Sequence, residues 1–201
     1  MSNVRHIDRR EALRRTALLL GGAISAPTLA GILAGCEASR HEAGWTPRAL
    51  TADQSDLVAT IAEHILPETD TPGARSAGVH RFIDTMLAEY YNPAARTHFV
   101  DGLTDVDARA QRVGAKSFVR ARPEQQRAIL TELDGEAYPP GPRPVSKGPD
   151  AIPFFRIMKE LTLLGYYTSE VGATKELQYN PAPGRFEGCV PMSRVGRASA
   201  V

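Results

Sequence analysis

Apolar residues recur at helical spacing in five stretches of this chain. The clearest is Val79, Phe82, Ile83, Met86, Leu87 and Tyr90, one continuous stripe of a helix that Asn92-Pro93 ends. Before it, Leu57, Val58, Ile61 and Ile65 predict a helix. It starts at Thr51, which has Gln54 at capping-box spacing, and stops at Pro67. Between these two, Glu68 to Gly78 contains Thr71-Pro72-Gly73, a turn signature. Pro93 suits the first turn of a third helix, which Phe99, Leu103 and Val106 carry toward Gly114. A fourth, shorter helix is expected from Pro123 to Leu133, with Ile129 and Leu130 inward. A fifth starts near Pro153; Phe154, Phe155, Ile157, Met158, Leu161, Leu164 and Tyr167 make it apolar over more than half its circumference. Such a helix is central to a core or faces a second protein.

The intervening segments read as loops. Residues 134–150 are crowded with prolines, which remove amide donors and fix φ. They predict a surface loop, either partner-contacting or a mobile insertion. From Ala173 no period survives, and Pro181, Pro183, Gly184, Gly188 and Pro191 predict an irregular arm with Tyr179, Phe186 and Val190 as anchors. With no sustained strand alternation and no internal repeat, the expected fold is mostly α. It is a compact helical domain of about five helices with an irregular, extended C-terminal arm.

The first 36 residues follow another logic. Arg9-Arg10 lead into a charge-free stretch from Thr16 to Ala34, which ends in Leu33-Ala34-Gly35-Cys36. Basic, then apolar, then small residues before a cysteine is the order of an export leader. Twin arginines address the pathway that exports folded proteins. Leu-Ala-Gly-Cys resembles a lipobox, in which Cys36 becomes the acylated first residue. The organisation expected is therefore a leader over 1–35, a tether over 36–50, a helical domain over 51–191 and a flexible tail over 192–201. Thr16 to Ala34 is also long enough to span a bilayer, so an uncleaved anchor is the competing reading. Either way the body faces the periplasmic side of a bacterial membrane.

Charge narrows the partners. The chain of 201 residues carries a net +1. The leader has five arginines against Asp8 and Glu11, so the remaining 166 residues are near −2. That balance argues against a nucleic-acid binder, which needs a basic face. Two cysteines occur, Cys36 and Cys189. If Cys36 is acylated, Cys189 is an odd thiol in an oxidising compartment, either reactive, bridged to another chain, or buried as a small hydrophobe.

Candidate chemistry is sparse. The chain has no Gly-x-Gly-x-x-Gly, no phosphate-cradling Gly-Lys-Ser/Thr loop and no Cys-x-x-Cys-His. His6, His41, His64, His80 and His98 never pair at i, i+3 or i+4, which leaves only a metal site assembled from distant elements. Glu63-His64 reads as a solvated or partly satisfied helix face, and the Asp101, Asp105, Asp107 group as a solvated one. No catalytic, cofactor-binding or metal-binding residue is assigned. The block at 165–176, GYYTSEVGATKE, stands out. Tyr166, Tyr167, Thr168, Ser169, Glu170, Gly172, Thr174 and Lys175 combine aromatic area with small polar groups, good contact chemistry. The alternative is a helix end capped by Gly172 with its tyrosines in the core.

Ile65-Leu66-Pro67, Asp70-Thr71-Pro72-Gly73-Ala74 and Ala77-Gly78-Val79 form one set of motifs. Pro153-Phe154-Phe155, Lys159-Glu160-Leu161-Thr162, and Gly165 through Leu177 with Tyr179, Pro183-Gly184 and Gly188-Cys189 form a second set that weighs more heavily. In these blocks the chain resembles the gluconate 2-dehydrogenase subunit 3 family, the small subunits of membrane-associated flavin dehydrogenases. The resemblance spans about Leu50 to Pro191. The resemblance implies a non-catalytic subunit without a cofactor of its own. Its partner would be a flavin-bearing catalytic subunit of the glucose–methanol–choline type that carries FAD, often with a cytochrome c subunit. It also implies an escort role in twin-arginine export, a contact surface in the 165–177 block, and Cys189 as a candidate intersubunit disulfide. The leader departs from the usual pattern with Ala12, Leu13 and Arg14. A small hydrolase or lyase and a free-standing lipoprotein with a structural or ligand-carrying role remain the alternatives.

Overall fold

The computed structural model describes residues 45–140 and 152–200, apart from Pro183, Phe186 and Glu187. The expected leader, Arg9, Arg10, Cys36 and most of the tether lie outside these residues, as does the greater part of the proline-rich loop. The compact body begins at Pro47. Its elements are α1 (Ala52–Ile65), α2 (Val79–Glu89), α3 (Pro93–Arg112), α4 (Pro123–Ala137) and α5 (Phe154–Tyr167). A π-helical turn (Gly172–Glu176), β1 (Gln178–Tyr179), a single-turn α6 (Met192–Val195) and β2 (Ser199–Ala200) follow. The fold is mostly α, as the apolar periodicity predicts.

Local chemistry sets the helix starts. The Thr51 hydroxyl accepts from the Gln54 N–H at 3.2 Å, and the Gln54 side chain accepts from the Thr51 N–H at 2.9 Å, a closed capping box. Asn92 Oδ1 accepts from the Ala95 N–H at 2.9 Å, with Pro93 in the first turn of α3. The α4 helix runs one turn beyond its expected end at Leu133, through Ala137. Leu133 and Ala137 are both buried and continue the stripe of Ile129 and Leu130, so packing holds that last turn.

The centre of the body is α5, which packs against α1, α2, α3 and α4. Phe154 meets Phe99 of α3 edge to face, with ring centroids 5.1 Å apart. Gly165 lies where α2 crosses α5; a Cβ there would stand 2.6 Å from the Phe82 ring, so glycine is what lets the helices approach. Val58, Ile61, Ile83, Leu87, Phe99, Leu103, Val106, Phe118 and Met158 are fully buried around this axis.

Two boundaries differ from the sequence reading. Leu50, placed in the tether, is buried in the core, and Ala49 packs against it. An isolated leucine before a cap has no periodic neighbours to betray it. In the arm, Ser199–Ala200 pair in parallel with Gln178–Tyr179, so residues expected as a flexible tail carry β2. Tyr179, expected as an anchor, is 57% exposed.

Candidate interaction site

The motif blocks singled out in the sequence, far apart along the chain, meet at the C-terminal end of α5. The 66–78 segment is folded by Glu63, whose carboxylate accepts from the Glu68 N–H (2.8 Å) and the Arg75 N–H (2.9 Å). Arg75 in turn donates to Asp56 at 2.9 Å and to the Thr60 hydroxyl at 2.7 Å on α1. The Ala74 N–H returns to the Leu66 carbonyl at 2.9 Å, and Ala74 itself is fully buried. Onto this loop docks the 165–177 block. Tyr166 donates its hydroxyl to the Pro72 carbonyl at 2.7 Å, and the Thr71 hydroxyl donates to Glu176 at 2.8 Å.

The block itself turns through a wide helix. The Leu177 N–H reaches the Gly172 carbonyl at 2.9 Å, an i to i+5 bond. Ser169 supports the entry, donating to the Tyr166 carbonyl (2.6 Å) and accepting from the Gly172 N–H (3.0 Å). A Cβ on Gly172 would sit 2.0 Å from the Tyr166 carbonyl oxygen, which is backbone and cannot swing away. Gly172 therefore makes the π-turn possible; it does not cap α5, whose last residue is followed by Thr168 in that place.

This geometry divides the eight residues expected at a contact surface. Tyr166 is buried and Gly172 is buried, so neither offers a side chain to a partner. Both are spent on internal contacts, because the tyrosine ring fills the space beneath the loop and the glycine allows backbone to touch backbone. Tyr167 and Ser169 are half-buried, while Thr168, Glu170, Thr174 and Lys175 are exposed. Tyr167 stands edge-on to Tyr166, 5.4 Å between centroids. It also borders an open cleft of about 880 Å³ with Asp70, Thr71, Lys175, Glu176 and Arg197. On the same side of α5, Leu163 and Leu164 are 40% and 48% exposed, although the helix is otherwise central to the core. Nearby Tyr91 has its pKa raised by burial first and by the Glu160 carboxylate second.

Other candidates resolve into structure. His64 is half-buried and partly satisfied, its Nε2 2.9 Å from Gln126 Oε1, and the Gln126 amide donates to the Phe118 carbonyl at 2.7 Å. Asp105 pairs with Arg109, which also bridges Glu132 and Glu136; these hydrogen bonds, Glu136 foremost, hold its guanidinium protonated well above its usual range. Asp107 accepts from the Phe118 N–H at 2.8 Å. Cys189 is a free thiol and exposed. Among the described residues no group of three or more His, Cys, Asp or Glu could hold a metal ion, and no helix is long and apolar enough to cross a membrane.

Sequence reasoning missed Asp84. It is 1% exposed on α2, and its carboxylate accepts from the N–H groups of Arg48 (2.8 Å), Ala49 (3.0 Å) and Leu50 (2.9 Å). The available signal was an acidic residue beside the stripe positions Ile83 and Leu87.

Fold and site together define a small helical domain whose richest sequence blocks form an internal junction with an exposed rim. The family described as gluconate 2-dehydrogenase subunit 3 matches residues 52–184, and the chain belongs to it. That match contains α1 to α5, the 66–78 loop and the 165–177 block. No curated protein and no solved structure matches the chain.

Proposed function

We propose that this chain is the non-catalytic small subunit of a flavin-dependent sugar or sugar-acid dehydrogenase of the glucose–methanol–choline type. It binds and stabilises the FAD-bearing catalytic subunit, and its twin-arginine leader carries both across the membrane folded. Cys36 then holds the complex on the periplasmic side through a lipid, with or without a cytochrome c subunit. The family membership carries this reading, because the family is a dehydrogenase subunit. The exposed edge of α5 supports it, since Leu163, Leu164 and Tyr167 put apolar area beside Thr168, Glu170, Thr174 and Lys175. Cys189 is exposed and available for an intersubunit disulfide.

The test is a pull-down of the tagged chain from detergent-solubilised membranes, read by flavin absorbance. The expected result is a co-purifying flavoprotein that stays in the cytoplasm when Arg9 and Arg10 are both changed to Lys. A chain that elutes without flavin overturns the subunit reading. Normal export of the flavoprotein with the altered leader overturns the escort role alone.

A further inference from the structure

We propose that Asp84 is a latch that guards the Arg48–Ala49 peptide bond, near the first residue of the compact body. A single carboxylate, almost wholly buried, receives three consecutive backbone N–H groups from Arg48, Ala49 and Leu50. The contacts span 34 to 36 residues of sequence, so they form only once α2 is seated in the folded body. Leu50 adds an apolar foot in the core, and the Arg48 guanidinium pairs with Glu89, the last residue of α2. The Arg48 side chain is itself 62% exposed. A basic residue is thus displayed to solvent while the backbone on both sides of its scissile bond is immobilised.

A protease needs several residues of extended, detachable backbone, and a segment whose N–H groups are bonded elsewhere is cut only when it opens. One cut at this bond would separate the helical body from everything before Ala49. If Cys36 is the lipid anchor, as proposed above, the latch keeps the body on the membrane; this consequence, and not the latch itself, rests on that reading. Asp84 suits the task better than a neutral acceptor, because hydrogen bonds to a charged group are the stronger ones.

The test is limited trypsin digestion of the full-length chain in detergent, with the fragment that begins at Ala49 followed by mass spectrometry. Asp84→Asn keeps the size but points an amide at N–H donors; it should raise the rate of that cut by about tenfold or more. Equal rates in the two proteins overturn the proposal. Should Asp84→Asn lose its helical circular dichroism, the unaltered chain decides alone. Its Arg48, Ala49 and Leu50 amides should exchange with deuterium about a hundredfold more slowly than in a free peptide, and unprotected amides overturn the latch. A Cys36→Ser chain separates the two ideas. If it still sediments with membranes, the anchor reading falls, and the trypsin result stands unchanged.

Discussion

Between Ala52 and Tyr167 the chain buries Phe99, Phe118, Leu103, Met158 and their neighbours completely, whereas after Gly172 none of the residues whose side-chain placement is described is buried. The body is held by apolar area, which is non-directional and accumulates over many contacts. The arm is held by a few directional bonds. Two-residue strands pair, the Gln178 N–H meets the Ala198 carbonyl at 2.8 Å, and the Arg197 guanidinium donates to the Lys175 carbonyl. A two-stranded ribbon without a core of its own is marginal in water. The body therefore stands by itself, while the arm gains its stability from what it is attached to.

That contrast can be broken at both ends. In the body, Phe99→Ala removes a fully buried ring that packs on Phe154. It should cost about 3–5 kcal/mol in urea unfolding, and a loss below about 1 kcal/mol would show that the core yields around α5. At the junction between the regions, Tyr166→Phe deletes the bond to the Pro72 carbonyl and should cost about 1–2 kcal/mol. Tyr167→Phe, half-buried one residue later, should change unfolding by less than about 0.5 kcal/mol. Equal effects would place the two tyrosines on the same footing.

A smaller effect concerns pH. Burial, then the nearby Arg75 charge, lowers the His80 pKa below 6.5, against weaker opposing pulls from Asp56 and Asp84. The folded state then binds fewer protons than the unfolded one. The contribution of His80 is present above 6.5 and is lost as pH falls through its lower folded value. The melting temperature should drop on acidification from about pH 7.5 to pH 5.5, and His80→Gln should flatten that drop. The smallest effect should come from ending the chain after Leu177. Removing the arm should shift unfolding by no more than about 0.5 kcal/mol, measured by the urea midpoint. A larger loss would mean that the arm supports the body after all.

The site was legible in halves. The 165–177 block drew attention through its tyrosines, glycines and hydroxyls, but its composition could not say which tyrosine turns inward. Tyr166 and Tyr167 are neighbours with identical side chains, and only the position of the 66–78 loop makes one a buried donor and the other a rim residue. Glu63 read as a solvated or partly satisfied face, with no partner named, because its two partners are backbone amides and amides carry no sequence signature. Asp84 escaped for the same reason.

By itself the sequence determined the helices of this protein. Stripe periodicity, the Thr51 and Asn92 caps and the proline stops are local, and each is decided within a few turns of the chain. It also marked α5 as either central to the core or facing a second protein, since so broad an apolar surface has to be covered; the fold packs it against four helices. Only the tertiary structure decided that Leu50 belongs to the core, that Asp84 holds the chain's entry to the body, and that Pro72 and Tyr166 share a hydrogen bond across 94 residues. Those outcomes depend on backbone groups, present at every position alike, which acquire meaning only when folding brings a particular side chain to them.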